Sequence, residues 1–478
     1  MMFWQLENIA DSDIAIYDDS FKSNISYGVL KQQSDDLISA IKSEDKKLAF
    51  LFCDNSYPIV LVYLSMLRAR HAVFLANSKM DPSLKLNLVR VYRPDLIFSI
   101  DSSDHFEGYD PLSGSGNVGF YTKKKQEQTK IHPDLAILLS TSGTTGSPKL
   151  VRLSYKNIQT NAESIVDYLG ITKDERAITT LPLSYTYGLS LLHSHILAGA
   201  RLVCTNQPVI AKPFWELFRN QSCTSIAGVP YIYQMLDRLR FGQMELPSLR
   251  TMTQAGGRLD NGLIRKFSDI AQHKNIRFFV MYGATEATAR ISYVPHDVLS
   301  QKIGSIGIPV PGGAMSILND EKETSGPDIV GELVYRGDNV MMGYAENRGD
   351  LARGYEMNGL LRTGDLAYRD LDGYFFVTGR IKRFLKIFGL RFNLDAAEET
   401  LESHLSKPVA CVGSDDALKI FVEKSTPRDL KKAADYVVEL YRLHHSVVHA
   451  EGIEILPRTS SGKKNYQEIG SRGSDGQT

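Results

Sequence analysis

The chain has 478 residues, of which 43% are hydrophobic and 23% are charged, values typical of globular proteins. This composition excludes a disordered chain, and the length corresponds to roughly two or three domains. Lysine and arginine together number 55, as do aspartate and glutamate, so the chain has no net charge that would attract nucleic acid or an anionic membrane.

Between about residues 130 and 300, short apolar runs alternate with helical patterns. Ser154 and Gly170 are typical of the beginning and the end of the first helix. Repeated βα units predict mostly parallel sheets covered by helices, with ligands bound beyond the carboxyl ends of the strands. The predicted strands are 135–139, 150–153, 177–180, 201–204, 225–227, 250–253 and 276–280, and the later helices are 189–197, one after Pro230 and one near 263–271.

After about residue 302 the pattern changes to clustered glycines and prolines with short strands. The remainder is typical of a small α+β unit, and we place a domain boundary near Lys382. The fold class is therefore α/β for a large domain, residues 1–381, with a small α+β domain at 382–478 and a disordered tail from Gly470. The predicted elements are strands 332–335, 374–377, 382–387, 409–412, 419–422 and 453–456, and a helix after Pro427.

The sequence has no clear signal for a membrane span, for secretion or for disulfide bonds. The longest strongly apolar stretches, such as residues 59–67, fall short of the ~18 residues that a membrane-spanning helix requires. The first residues carry acidic side chains and no basic segment, so we expect no secretory signal. The four cysteines form no CxxC pair, which is typical of buried thiols in a reducing compartment. We expect a cytoplasmic protein without a membrane span.

Residues 140–149 read STSGTTGSPK and directly follow an apolar strand. Glycines let backbone N–H groups converge on an anion, while hydroxyls and the charge of Lys149 add to the attraction. The spacing is not that of the GxxxxGK[ST] loop, and a strand rather than a helix follows. The segment is either a phosphate-binding loop or an exposed turn between two strands.

Further motifs follow this loop in order: YGATEAT at 282–288, GELVYRG at 331–337, RTGD at 362–365, GRIKRFLKIFGLRFN at 379–393 and LPRTSSGK at 456–463. With the loop they resemble the adenylate-forming superfamily, which comprises acyl- and aryl-CoA synthetases, peptide-synthetase adenylation domains and luciferases. The resemblance spans nearly the whole chain. It implies that the large domain includes a distorted β-barrel and that the small domain is a mobile lid.

The resemblance also implies a site for ATP and Mg²⁺. Thr285 would contact the α-phosphate, and Glu286 would be the ligand of the magnesium ion, a role that suits a hard carboxylate. Asp365 would accept the ribose hydroxyls, and Arg380 would contact the ribose or a phosphate. The other implied nucleotide-binding residues are Thr141, Ser142, Gly143, Thr144, Thr145, Gly146 and Lys149 for the phosphates, Tyr282 with Gly283 and Ala284 for adenine, and Gly256 with Gly257 beside it.

Three implied roles belong to the lid. Lys463 would be the catalytic lysine, bridging the carboxylate and the α-phosphate while charge develops; a lysine beside Lys464 could otherwise be an ordinary surface residue. Lys382 occupies the family's hinge position. Gly389 would let a pantetheine arm pass close to the backbone, and Arg391 would lie near that tunnel or near the nucleotide.

The implied acyl pocket departs from the family pattern at two positions. Many CoA synthetases have a histidine where this chain has Tyr185. Adenylation domains for α-amino acids usually have an aspartate where this chain has Thr186, whose hydroxyl does not neutralise an ammonium group. We therefore expect an acid with an uncharged tail to be preferred over a free α-amino acid. The predicted pocket residues are Tyr185, Thr186, Gly188, Gln254 and Ala255.

These features predict an ATP-dependent, AMP-forming ligase that activates a small-molecule carboxylic acid and transfers the acyl group to the thiol of CoA. A second hypothesis is a stand-alone enzyme that loads an acyl or aminoacyl group onto the phosphopantetheine of a carrier protein. A third, of another class, is a non-catalytic protein that binds adenylates or acids. The presence of Lys463, Glu286 and Asp365 argues against the third hypothesis.

Overall fold

The computed structural model describes residues 2–7, 9–41, 43, 45–101, 104–111, 119–124, 129–140, 149–324, 326–387, 390–414, 417–459 and 463–472. The chain divides into two compact units. The first comprises Met1–Ala314 and Tyr335–Leu361, and the second comprises Met315–Val334 and Arg362–Thr478. The predicted boundary near Lys382 lies inside the second unit. Because it marks the expected pivot of the small domain, it stays a prediction.

The elements up to residue 309 belong to the first unit. The strands are β1 (Ile14–Asp18), β2 (Ser23–Ser26), β3 (Leu48–Cys53), β4 (Ala72–Asn77), β5 (Leu96–Ser99), β6 (Tyr109–Pro111), β7 (Gly119–Lys123), β8 (Leu135–Ser140), β9 (Leu150–Ser154), β10 (Arg176–Ile178), β11 (Arg201–Cys204), β12 (Ser225–Gly228), β13 (Thr251–Gln254), β14 (Arg277–Tyr282), β15 (Ser292–Val294) and β16 (Ile308–Pro309). The helices are α1 (Tyr27–Ile41), α2 (Tyr57–Arg68), α3 (Pro82–Tyr92), α4 (Tyr155–Leu169), α5 (Thr186–Leu197), α6 (Lys212–Asn220), α7 (Pro230–Arg238) and α8 (Asn261–His273).

The later elements are the strands β17 (Ala314–Asn319), β18 (Lys322–Thr324), β19 (Gly331–Arg336), β20 (Gly343–Ala345), β21 (Leu360–Arg369), β22 (Phe375–Arg380), β23 (Phe384–Ile387), β24 (Leu390–Asn393), β25 (Val409–Ser414), β26 (Ala417–Glu423) and β27 (Val448–Ile453), and the helices α9 (Leu394–Leu405), α10 (Pro427–Tyr441) and α11 (Tyr466–Arg472).

Two large sheets form the first unit. One has nine strands in the order β16-β15-β14-β13-β12-β10-β11-β1-β2, and the other has eight in the order β20-β9-β8-β4-β3-β5-β7-β6. Strands β10 to β14 pair in parallel, as the alternating pattern predicts. Apolar side chains of the sheets and helices form the core. Because β10, β12, β13 and β14 run in parallel, the loops that follow their carboxyl ends lie at the same edge of the sheet.

Helix α4 shows how local sequence defines an element. Its N-cap Ser154 accepts the N–H of Asn157, whose side chain accepts the N–H of Ser154 in return, forming a capping box. Its C-cap Gly170 has φ of 61°, a left-handed conformation that glycine adopts without a steric penalty. The predicted bounds of this helix are confirmed.

In the second unit, a five-stranded sheet has the order β18-β17-β19-β21-β22. Strands β25, β26 and β27 form a smaller sheet whose core with α9 and α10 includes Leu401, Ile420 and Val437. The predicted fold class, mixed α/β with a smaller α+β part, is confirmed. The prediction of the last strand, at 453–456, is wrong. Strand β27 ends at Ile453, because parallel pairing with β26 fixes its register from Val448 to Ile453.

The four cysteines of the chain are free and buried, as predicted. In the part of the chain that the structure describes, no helix combines the length and the apolar character needed to cross a membrane.

Candidate active site

The predicted pocket residues of the first unit follow strands of the parallel sheet. Gln254 ends β13, Tyr282 ends β14, and Thr186 begins α5, which follows β10. Carboxyl ends of neighbouring parallel strands share an edge, so these segments meet there. The hydroxyls of Thr186 and Thr285 lie 2.9 Å apart and form a hydrogen bond, although 99 residues separate them in the chain.

The glycine-rich segment after β13 is shaped by close approach to Tyr185. Gly256 has φ of +82°, and a Cβ atom there would lie 2.6 Å from the Tyr185 hydroxyl oxygen. The buried Gln254 donates from its side-chain amide to the carbonyl of Gly257 at 2.8 Å, which closes the turn. Ala255 is buried beneath it. The structure thus brings together five of these predicted residues, and only glycine fits at position 256.

The segment after β14 also depends on close packing. Tyr282 and Gly283 are half-buried, and a Cβ atom at Gly283 would lie 1.7 Å from the carbonyl oxygen of Ala289. Ala284 is the N-cap of a short 3₁₀ helix, Thr285–Ala287. Gly188 is buried in the first turn of α5. This packing holds Thr285 and Glu286 at the edge of the sheet.

Tyr344 lies in contact with both Glu286 and Lys149. The Tyr344 hydroxyl donates to Oε1 of Glu286 at 3.0 Å, and the Lys149 ammonium lies 3.8 Å from the centroid of the Tyr344 ring. Burial raises the pKa of Tyr344, and the Glu286 carboxylate raises it further. Tyr344 therefore stays a neutral donor that orients the carboxylate.

The residues around Glu286 fit a magnesium ion that is held chiefly by substrate. Among the described residues there is no group of three or more His, Cys, Asp or Glu side chains that could hold a metal. Mg²⁺ usually binds one or two carboxylates together with water and substrate phosphates, so a single oriented glutamate is sufficient.

In the second unit, Asp365 and Arg380 are directly paired across β21 and β22. Asp365 is buried, and Arg380 Nε lies 2.7 Å from its Oδ1. The preceding turn is held by Glu332 of β19, which accepts from Arg362 Nε at 2.7 Å and from the Gly364 N–H at 3.1 Å. The GELVYRG and RTGD motifs are therefore parts of one structure that presents the carboxylate.

The segment that carries Lys463 is anchored by the next residue. Lys464 donates to Glu398 at 2.7 Å and to Glu402 at 2.9 Å. The Thr459 N–H donates to the Lys463 carbonyl at 2.8 Å, and Arg458 pairs with Lys464 in an antiparallel bridge. Lys464 is thus a structural residue of this hairpin.

Some predicted residues lie outside the described part of the chain. These are the phosphate-loop residues Thr141, Ser142, Gly143, Thr144, Thr145 and Gly146, and Gly389. The backbone of Lys382 lies in a 3₁₀ helix, Ile381–Arg383, and that of Arg391 lies in β24.

Two residues with site contacts were missed by the sequence analysis. Tyr344 lies in the three-residue strand β20, and Arg290 follows β14 within the buried interior. A tyrosine in a short strand and an arginine in a polar segment carry no local signal of burial or pairing. Only the sequence position of Arg290, four residues after Glu286, could have drawn attention to it.

The chain is similar in sequence to known proteins. A family model described as AMP-binding enzyme matches residues 4–345. A long-chain-fatty-acid–CoA ligase of Salmonella typhimurium is 29% identical over 352 residues, covering 70% of this chain and 61% of the relative. A 2-succinylbenzoate–CoA ligase of Bacillus cereus is 27% identical over 465 residues, covering 90% of this chain and 95% of the relative.

Among solved structures, the O-succinylbenzoate coenzyme A synthetase of Bacillus subtilis in complex with AMP superposes with a TM-score of 0.79. The sequence identity is 22%, and the superposition covers 98% of this chain and 97% of that chain. At this identity the likeness establishes the fold.

Proposed function

This chain belongs to the AMP-binding enzyme family, and we propose that it is an AMP-forming acid–thiol ligase that joins a carboxylic acid to CoA. The observation that carries the proposal is the edge of the nine-stranded sheet. There the hydroxyl of Thr285 stands next to Glu286, whose carboxylate is oriented by Tyr344. A donor for a phosphate oxygen and an oriented ligand for Mg²⁺ are the two elements that activation of an acid by ATP requires.

In the first half-reaction, an oxygen of the acid attacks the α-phosphorus of ATP, and the bond to pyrophosphate breaks. The product is an acyl-adenylate. Thr285 donates to the α-phosphate, and Lys463 offsets the negative charge that the two approaching anions share. Glu286 would hold Mg²⁺, and the bound ion would neutralise phosphate charge. Lys149 and residues 141–146 bind the leaving pyrophosphate.

We assign the remaining contacts with the nucleotide to residues of both domains. Tyr282, Gly283 and Ala284, with Gly256 and Gly257, surround the adenine, and Asp365 with Arg380 binds the ribose. Support for the Asp365 role comes from its burial beside the Arg380 guanidinium, whose Nε lies 2.7 Å from its Oδ1.

In the second half-reaction, the thiol sulfur attacks the acyl carbon, and the bond to the AMP oxygen breaks. The thiol proton passes to solvent, and a thioester and AMP are released. We assign the mobile lid to residues 382–478 and its pivot to Lys382, because Lys463 serves only the first half-reaction. In this proposal, Gly389 and Arg391 would serve the passage of the thiol arm.

CoA is the proposed acceptor, and the cytoplasm is the proposed location. The curated relatives reported above are CoA ligases by name, which supports this choice over a carrier protein. The first relatives are matched over about three fifths of their own length, so their substrates are not carried over to this chain.

The test is ATP–pyrophosphate exchange by the full chain across a panel of carboxylic acids. Competition between CoA and holo-carrier proteins for the activated acid follows. We expect acid-dependent exchange that requires Mg²⁺ and is lost in Glu286→Gln, and thioester formation on CoA. Absence of exchange with every acid would favour the non-catalytic alternative, and transfer to carrier protein alone would favour the loading enzyme.

A further inference from the structure

Arg290 is a buried cation in the first unit, with 2% of its surface exposed. Its Nε and Nη1 atoms make no hydrogen bond within the described part of the chain. A guanidinium does not lose its proton in a protein, so burial leaves it charged. A buried charge is costly unless an anion accompanies it. The surroundings of Arg290 therefore decide whether this charge is already balanced.

The immediate neighbours of Arg290 are aromatic and uncharged. Its Cζ atom lies 4.2 Å from the centroid of the Tyr187 ring. Burial raises the pKa of the Tyr168, Tyr185 and Tyr187 hydroxyls, and the charge of Arg290 only partly opposes that rise. These phenols are neutral at physiological pH. Stacking on tyrosine offsets part of the desolvation, but it supplies no negative charge.

Arg290 lines a small, mostly apolar cavity between α5 and the parallel strands. The cavity has a volume of about 30 Å³ and is also lined by Ser190, Ser194, His195 and Thr253. The Nδ1 atom of His195 is 2.8 Å from the Leu191 carbonyl and donates to it, so the unpartnered Nε2 is an acceptor. About two oxygen atoms of water size fit in such a volume, as do the two oxygens of a carboxylate.

The other charged groups that line this cavity do not neutralise Arg290. Glu175 precedes β10 and lies at the opposite end of the sheet, where it accepts from the Thr224 hydroxyl. Arg277 begins β14 and donates to the Leu169 carbonyl and the Thr251 hydroxyl, both at 2.8 Å. One carboxylate and two guanidinium groups leave one positive charge uncompensated.

This cavity shares strand β13 and helix α5 with the predicted acyl pocket. Thr253 directly precedes Gln254, and its hydroxyl is 2.8 Å from that of Tyr187. Ser190 and Ser194 lie on α5 beyond Thr186 and Gly188. We propose that Arg290 determines substrate specificity by binding a second, distal carboxylate of the acid, so that the preferred substrate is a dicarboxylic acid. This inference rests on the proposed function, because it names the tail of the acid that the site activates.

A carboxylate suits this position for two reasons. Arginine binds carboxylates through parallel, charge-assisted hydrogen bonds, and Nε is one of the two atoms of such a fork. An amino acid would bring an ammonium group towards a cation, which strengthens the expectation against α-amino acids. This inference replaces the expected uncharged tail with an anionic one. That expectation considered only the neighbours of Thr186, whereas Arg290 lies in the segment between β14 and β15.

The test compares matched acids in ATP–pyrophosphate exchange with the full chain. The panel contains dicarboxylic acids of increasing length, their monomethyl esters, and monocarboxylic acids of the same length. We expect one dicarboxylic acid to exceed its monomethyl ester in kcat/KM by about 100-fold, because an ester leaves the buried guanidinium unpaired. We expect Arg290→Met to remove this preference by raising KM for the diacid, and Arg290→Lys to restore it in part.

Arg277→Met is the matched control, since Arg277 lines the same cavity but is bonded to the backbone. We expect it to change the diacid and the ester alike. If wild type prefers the ester or the monocarboxylic acid, the inference is wrong, and this holds even if the variants fail to fold. An equal loss of activity with all acids in Arg290→Met would also overturn the inference and would indicate that the cavity holds water. Failure of every acid to support exchange would instead refute the proposed function.

Discussion

Arg290 in the first unit and Arg383 in the second are both buried, yet their surroundings differ. Arg383 donates from Nε to Asp395 and from Nη1 to the Cys411 carbonyl, both at 2.8 Å, and pairs through Nη2 with Glu398. Burial alone would lower its pKa, but these carboxylates outweigh burial and raise it. Arg290 has no carboxylate partner among the described residues. A compensated charge is part of the fold, whereas an uncompensated charge points to a ligand.

Glu398 is the centre of the compensated cluster. Its Oε1 accepts from the Cys411 N–H at 2.7 Å as well as from Arg383, and its Oε2 accepts from Lys464 at 2.7 Å and from Tyr466 at 2.8 Å. One buried carboxylate thus joins the segment that follows Lys382 to the segment that carries Lys463. Lys464, the neighbour of Lys463, belongs to this cluster through its ammonium group.

The largest expected effect separates these two lysines. We expect Lys463→Ala to lower the rate of adenylate formation on the order of 100- to 1,000-fold, since it removes the charge that stabilises the transition state. Thioester formation from a supplied acyl-adenylate should be retained. Single-turnover measurements of each half-reaction decide this, with circular dichroism as the control for folding. Equal loss in both halves would show that Lys463 has a structural role like that of Lys464.

Removing the central carboxylate tests the compensated side of the comparison. We expect Glu398→Ala to destabilise the second unit by about 3–5 kcal/mol, because Arg383 and Lys464 would stay buried without their shared partner. Urea unfolding of the full chain measures the loss. Glu402→Ala is the matched control, since Glu402 is more exposed and accepts from Lys464 alone among the cations. Similar losses in the two variants would remove Glu398 from the centre of the cluster.

Acid should affect the two units unequally. Burial lowers the pKa of His71 to about 4 and that of His193 to about 3, whereas the second unit's His404, His444, His445 and His449 are exposed. Between pH 6.5 and 4 the unfolded chain binds more protons at His71 and His193, so stability falls as pH is lowered through this range. We expect about 1.4 kcal/mol per pH unit for each histidine.

Unfolding midpoints measured from pH 7.5 to 4.5 test this prediction. Replacement of His193 by glutamine should flatten the decline in the first unit's transition. A decline of the same slope in the variant would show that other groups cause it.

The smallest predicted effect concerns the orientation of Glu286. We expect Tyr344→Phe to raise the Mg²⁺ concentration needed for half-maximal exchange about tenfold, because the ring remains but the donor to the carboxylate is lost. Tyr355→Phe is a suitable control, since that hydroxyl bonds to Asp134 on the surface. An unchanged magnesium dependence would exclude an orienting role for Tyr344.

The order of elements was predictable because its signals are local. Apolar runs bounded by turn residues marked the strands of the parallel sheet, and the caps of α4 were readable from Ser154 and Gly170. The last strand was misplaced since its register depends on pairing with β26. Leu456, which the pattern had assigned to that strand, packs instead against Phe421 and Ile469.

The fold class, the family and the segments that carry the site were predictable, because composition, periodicity and motif order all reside along the chain. Which side chains meet depends on the packed structure: Thr186 meets Thr285, Glu286 meets Tyr344, and Arg290 has no carboxylate partner among the described residues. The two contacts join residues that are distant in sequence, and the state of Arg290 depends on its burial. Burial is a property of the packed interior, so no local pattern predicts whether a buried charge has a partner.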